Sequence, residues 1–208
     1  MTPLVTVITP AWGRHELLLG RCVPSVQAQE YPAVEHVIVS DGPDPVLREA
    51  VDALGGLRHP VRYFELPEHD PERHWGGPGR REGLAHAAGE LIGYVDSDDA
   101  LRPRHVSLLA AALEAEPEAG FAYSWMMTYE HPVPGESIVG TGQYPASCNI
   151  GTPMILHRRE LESVATWGPP SATEDWEIVS AWLRAGVKFA RVEEVTIDVW
   201  PSFTYACP

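Results

Sequence analysis

Asp96, Ser97, Asp98 and Asp99 place three carboxylates within four residues. Their mutual repulsion is costly beside a buried strand end unless a cation compensates it. Hard divalent ions such as Mg2+ and Mn2+ take oxygen ligands, commonly one or two carboxylates completed by phosphates and water. Side chains alternate along an extended segment, so Asp96 and Asp98 can face the same side. The spacing suits a Mn2+ or Mg2+ site drawn from Asp96, Asp98 and Asp99, with a phosphate as the partner anion. It equally suits a helix cap, where Ser and Asp are common.

To serve a ligand, this cluster has to stand at a strand end. Residues 5–9 are a β-branched run stopped by Pro10 and read as a buried first strand. Residues 36–39 form a second, ending at Ser40-Asp41-Gly42-Pro43, which also reads as a plain turn. Residues 62–66 form a third, and 91–95 a fourth that runs directly into Asp96. Between them lie helical patterns at 15–29, 46–54 and 80–88, with Pro24 expected to kink or restart the first. The alternation predicts right-handed crossovers and a parallel sheet covered on both faces, an α/β fold. In such sheets ligands bind beyond the carboxyl ends of the strands. Pro10-Ala11-Trp12, Asp41-Gly42 and the aspartate cluster all fall there. Further on, helices are expected at 103–116, 159–165 and 174–185, and strands at 121–129, 154–157, 188–192 and 196–199. Residues 132–149 read as a long loop or hairpin.

Gly79-Arg80-Arg81-Glu82-Gly83, then Ala88-Gly89-Glu90, then a strand ending in Asp96-Ser97-Asp98-Asp99 resemble family-2 glycosyltransferases. That family shows an Ala-Arg-Asn-x-Gly element, an Ala-x-Gly-Glu turn and a strand ending in Asp-x-Asp-Asp. Thr9-Pro10-Ala11 and Val37-Ile38-Val39-Ser40-Asp41-Gly42 look like its first two nucleotide-binding elements. Thr173-Glu174-Asp175-Trp176 looks like its acidic motif near the start of a late helix. The matches occur in family order and span nearly the whole chain.

The resemblance implies a GT-A fold, Rossmann-like, with a mostly parallel central sheet and helices on both faces. It implies one domain over 1–208, with 1–100 as the nucleotide-binding half and 101–208 as the acceptor-binding half. A sugar would pass from a UDP-, GDP- or dTDP-sugar donor to a hydroxyl of a small-molecule or glycan acceptor. Asp96 and Asp98, with Asp99 beside them, would hold Mn2+ or Mg2+ and the donor diphosphate, as Lewis-acid assistance to the leaving nucleotide. Ser97 would lie in the same nucleotide-sugar site. Asp41 would lie against base or ribose, Pro10 and Trp12 would shape the base pocket, and Arg80 would pair with diphosphate or base. Asp175 would be the catalytic base, taking the acceptor proton during attack from the face opposite the nucleotide, which predicts inversion. Glu174 is its runner-up or an orienting neighbour, and Trp176 an acceptor platform. The bland reading of both acids is a first turn favourable to the helix dipole. The chain departs from the pattern at Ser40, where many relatives are acidic, at Arg81 in place of Asn, at Pro43 in place of a small hydroxyl residue, and in lacking a His after the late helix.

Other features bound the reading. With 208 residues and 44% hydrophobic content the chain can bury a sizeable core. A net charge of −14 opposes nucleic acid and anionic lipid. Cys22, Cys148 and Cys207 show neither metal-ligand nor disulfide spacing and read as reduced thiols. No leader pattern is visible, and no apolar run approaches the roughly 20 residues of a membrane span. A soluble cytoplasmic protein is expected, with a homo-oligomer open. No G-x-G-x-x-G follows the first strand, which disfavours a dinucleotide-binding domain; the basic Gly-rich loop of a nucleotidyltransferase is also missing. His69, His74, Trp75, Gly76, Gly77 and Gly79 read as a phosphate cradle or as a solvated loop. His157-Arg158-Arg159 reads as a diphosphate or acceptor contact, or as a solvated helix start. Trp167, Trp182 and Trp200 read as core. The competing functional class is a non-catalytic module that binds sugar nucleotides or partners on the same fold, and Asp175 discriminates the two.

Overall fold

β1 (Val5–Ala11) and β2 (Val34–Ser40) are almost wholly buried along their length. Near-continuous Val and Ile with both faces covered is the signature of parallel strands inside an α/β sheet. In the computed structural model, which describes residues 2–70, 76–130, 135–147, 149–168, 171 and 173–200, β1 pairs in parallel with β2 and with β4 (Leu91–Tyr94). β3 (Val61–Glu65) extends the sheet beyond β2, again in parallel. The order through the first half is β3-β2-β1-β4, so the ends of β1, β2 and β4 lie side by side.

The intervening helices differ from the sequence pattern in instructive ways. Helical backbone begins with α1 (His15–Leu17), passes through a π turn at Leu18–Cys22, and continues as α2 (Val23–Gln27). Pro24 does not break it, because it stands in the first turn of α2 just after the π turn, where its missing N–H costs little. α3 (Pro45–Asp52) is capped by Asp44, whose carboxylate accepts the Leu47 N–H at 3.0 Å. α4 (Gly77–His86) starts three residues before the expected position and takes in the glycines read as loop. Close packing explains this: a Cβ on Gly79 would stand 3.0 Å from Pro10 Cβ, and one on Gly83 only 2.4 Å from Ile8.

The second half continues the same sheet in mixed sense. β5 (Ala100–Leu101) follows the aspartate cluster, and α5 (His105–Ala115) leads to β6 (Ala119–Glu130). β7 (Gly135–Val139) pairs antiparallel with β6, the hairpin of the two alternatives read for 132–149, and β8 (Ile155–Arg158) lies antiparallel between β4 and β6. α6 (Glu174–Arg184) precedes β9 (Lys188–Val199), which runs parallel to β6 and antiparallel to β5. The two final strands read from sequence are one. Register shifts opposite Ser124 and Trp125 absorb Glu193 and Glu194, which the alternation pattern reads as a break. A single buried cluster joins both halves, with Tyr94, Phe121, Tyr123, Trp167 and Trp182 its largest members.

Candidate active site

Arg80 is the hub. α4 carries it on the turn that packs against β1, and its side chain is buried. One guanidinium nitrogen donates to Asp96 at 2.5 Å and another to Glu174. The strand-end cluster and the late helix are therefore tied through one cation. Burial alone would lower the guanidinium's pKa, but the charges of Asp96 and Glu174 outweigh it and hold Arg80 firmly protonated. Its Cζ lies 5.0 Å over the Trp167 ring, a cation–π contact. Trp167 is fixed in turn: its indole N–H donates to Tyr94 Oη at 3.1 Å, and Arg81 donates to its carbonyl. Tyr94 Oη lies 2.8 Å from His157 Nε2. Because His157 Nδ1 must donate to the Arg158 carbonyl, Nε2 is the acceptor and the tyrosine the donor.

The three aspartates turn in three directions. Asp96 faces Arg80. Asp98 pairs with Arg14, and its carbonyl accepts from Arg21 at 2.6 Å. Asp99 is buried and accepts the Trp200 N–H at 3.1 Å; burial first, then the charges of Asp96 and Asp98, push its carboxyl well above the usual range. Arg21 lies 3.9 Å over the Trp200 ring, so the end of β9 is docked on this loop. Among the described residues no group of three or more His, Cys, Asp or Glu side chains gathers as a ligand set. Asp96 and Asp98 are the two carboxylates of this loop that face arginines, and Asp99 accepts from Trp200. Two carboxylates with phosphate and water completing the shell is the ligand set that Mg2+ and Mn2+ favour. The residues fit such an ion, supplied with its anion.

Beside this loop, the segments after β1, β2 and β3 bring Trp12, Asp41 and His69 together. Trp12 is 42% exposed and stacks on His69 at 3.9 Å between ring centroids. His69 Nδ1 lies 3.0 Å from the Asp41 carboxylate and 3.1 Å from its carbonyl, so it carries the proton. Gly42 has φ +117° and a Cβ there would strike the His69 backbone at 2.6 Å, which is why glycine follows Asp41. Pro10 packs under Gly76 and Gly79. Ser97 is buried between the two outward aspartates.

On α6 the two acids diverge. Glu174 is buried, accepting from Arg80 and from the Gly77 N–H at 3.0 Å. That amide, read from sequence as a phosphate cradle, is therefore occupied by protein. Asp175 is half-buried and accepts the backbone N–H of Trp176 at 2.8 Å; burial pushes its carboxyl above the usual range, opposed by Arg80. Trp176 is half-buried against the core. The basic run at 157–159 is structural: Arg158 donates to the carbonyls of Ala119 and Leu113, and Arg159 to that of Ala87. Trp167 and Trp182 are core, as expected. His74, Trp75, Cys148 and Cys207 lie outside the described residues. Sequence reasoning missed Arg14, Arg21 and the His69 stack. Arg14 stands just before the first helical stretch and Arg21 within it, a signal visible only as basic residues near a strand end.

The glycosyl transferase family 2 model matches residues 6–152. O-antigen biosynthesis protein RfbC of Myxococcus xanthus is 28% identical over 127 residues, 59% of this chain and 9% of that protein. S. aureus TarS 1–349 in complex with UDP-GlcNAc superposes with a TM-score of 0.74 at 17% identity, over 96% of this chain and 59% of that one. Mannosyltransferase PcManGT from Pyrobaculum calidifontis, in complex with GDP-Man and Mn2+, gives a TM-score of 0.73 at 18% identity, over 99% of this chain and 59% of that one. The chain thus spans less than two thirds of the length of each of these relatives. The solved structures establish the fold as GT-A, and the match over 6–152, which takes in Pro10, Asp41, Arg80 and the strand-end aspartates, establishes the lineage: the chain belongs to glycosyl transferase family 2.

Proposed function

We propose that this chain transfers a sugar, with inversion, from a nucleotide-diphosphate sugar to an acceptor hydroxyl. The observation that carries the reading is Arg80, buried and bonded at once to Asp96 of the donor-side loop and Glu174 of the late helix. It ties the loop proposed for the diphosphate to the helix proposed for the acceptor. The nucleotide would lie along Pro10, Trp12 and Asp41, with Ser97 beneath the diphosphate. Mn2+ or Mg2+ would be held by Asp96 and Asp98 and supplies Lewis-acid stabilisation of charge on the departing diphosphate. Asp175, with a carboxyl raised toward working pH, would take the acceptor proton. Glu174 is engaged by Arg80 and by the Gly77 N–H, which makes it a positioning residue and leaves Asp175 as the base. Trp176 would face the acceptor, a glycan or small molecule. The shared sheet and core support one domain, with 1–100 serving donor and 101–208 serving acceptor. No helix among the described residues is long and apolar enough to cross a membrane. A cytoplasmic site of action belongs to the same proposal.

A thermal-shift panel of UDP-, GDP- and dTDP-sugars with and without Mn2+ tests the donor side. One donor should stabilise the protein, and more so with metal; a flat response across the panel refutes the reading. Donor hydrolysis and transfer assays of Asp175→Asn test the acceptor side. A second reading, a sugar-nucleotide-binding module without turnover, draws support from the arginines already paired with Asp96 and Asp98. Donor binding without any transfer by the unaltered chain would favour it.

A further inference from the structure

Asp98 meets two arginines that differ in kind. Arg21 donates to the Asp98 carbonyl at 2.6 Å while lying over Trp200, so it fixes the peptide whatever the carboxylate does. Arg14 pairs with the carboxylate itself, and its side chain is 37% exposed where that of Asp98 is 14% exposed. It stands on the turn between β1 and α1, directly after Gly13, which has φ +65° and open space on the side where a Cβ would stand. An open cleft of about 400 Å³, lined by Gly13, Arg14, His15, Glu16 and Leu17, gives the guanidinium room to leave. Arg80 has no such room, being buried between Asp96 and Glu174.

Charge then dictates an exchange. Arg14 and Arg80 neutralise Asp98 and Asp96 in the ligand-free protein. A divalent cation arriving alone at those carboxylates meets two guanidiniums and is repelled. A cation arriving with a diphosphate diester brings two negative charges of its own, so the net charge of the site is unchanged, and Asp98 is freed for the cation if one arginine moves to the phosphates. Of these two arginines Arg14 alone is exposed enough to do so, and planar guanidinium forks suit phosphate oxygens. Resting on the function proposed above, we propose that Arg14 is a donor-diphosphate-binding residue that occupies Asp98 while the donor is absent, making binding of metal and donor mutually dependent.

The test measures Mn2+ binding by electron paramagnetic resonance, without nucleotide, for the unaltered chain and for Arg14→Met. Binding of UDP and GDP in the presence of Mg2+ is followed by calorimetry in parallel. Arg14→Met is expected to bind Mn2+ alone about fivefold tighter and the preferred nucleoside diphosphate about tenfold weaker, the scale of one charge-assisted contact. Arg14→Lys, which keeps the charge and loses the fork, should fall between them on both axes. If the unaltered chain binds metal with nucleoside diphosphate but Arg14→Met changes neither affinity, this inference fails and the proposed function stands. Tighter Mn2+ binding with unchanged diphosphate affinity also overturns the exchange. If the unaltered chain binds neither Mn2+ nor any nucleoside diphosphate, the proposed function falls and this inference with it.

Discussion

Glu174 and Asp175 are adjacent in sequence and opposite in surroundings. Glu174 is sealed against Arg80 and the Gly77 amide, whereas Asp175 keeps a half-buried carboxylate with one backbone donor. Glu174→Gln removes one charge from a buried pair and leaves Arg80 undercompensated, so it should cost about 3 kcal/mol in urea unfolding. Asp175→Asn should unfold at nearly the unaltered urea concentration yet lose transfer by at least about a hundredfold, the usual contribution of a general base. Equal stability losses in both variants would contradict the division of labour. Asp175 as the proposed base must be ionised to act, and burial raises its carboxyl. The acid limb of kcat/KM should therefore lie at higher pH than an ordinary aspartate gives, activity rising as pH climbs through it. A limb at the ordinary position, around pH 4, would point to a different group.

Among elements, the packing of α4 on β1 sets where Arg80 stands, and it depends on glycine. A Cβ at Gly83 would fall 2.4 Å from Ile8 Cγ2, inside a helix–sheet contact with no flexible end to give way. Gly83→Ala should destabilise by about 1–3 kcal/mol through overpacking and weaken donor binding as Arg80 shifts. Gly20, on the exposed side of the first helical stretch with nothing within 4 Å, is the contrast. Gly20→Ala should be neutral or stabilise by up to about 1 kcal/mol, from helix propensity. Thermal melts of the two would show opposite signs. The same glycines mark how far the sequence could be read. Strands β1, β2 and β4 are legible because short, largely apolar runs stop at Pro10, Asp41 and Asp96. The start of α4 was not, since Gly76, Gly77 and Gly79 have poor helix propensity and owe their conformation to Pro10 and Glu174, contacts distant in sequence. The aspartate cluster was visible as chemistry. Its division among Arg80, Arg14 and Trp200 was not, because each partner arrives from a different element.

For the molecule as a whole, acid sensitivity should come first from the core and only later from its acidic surface. His36, His105 and His157 are buried, and desolvation lowers them to about 3, 3 and 4 respectively. Each is held neutral by its place in the fold: His36 beside Thr9 at 2.8 Å, His105 beside Thr196 at 2.7 Å, His157 beside Tyr94. In the unfolded chain each regains an ordinary pKa near 6.5. Between that value and the folded-state values the unfolded chain binds more protons, so stability is full above about pH 6.5 and falls as pH falls through the window. Each histidine contributes a loss of up to about 1.4 kcal/mol per pH unit well inside it. From pH 7 to pH 5.5 the three together should remove roughly 4 kcal/mol, large against the 5–15 kcal/mol typical of a domain. Carboxylates with ordinary pKa values remain mostly ionised over that span, so they add little to this slope. Urea unfolding at pH 7.0, 6.25 and 5.5 should trace this slope. Replacing His36, the one whose Nδ1 lacks a partner, by Asn should flatten it by about a third. A slope that stays flat in the unaltered chain would mean that these rings are not held neutral in the folded core.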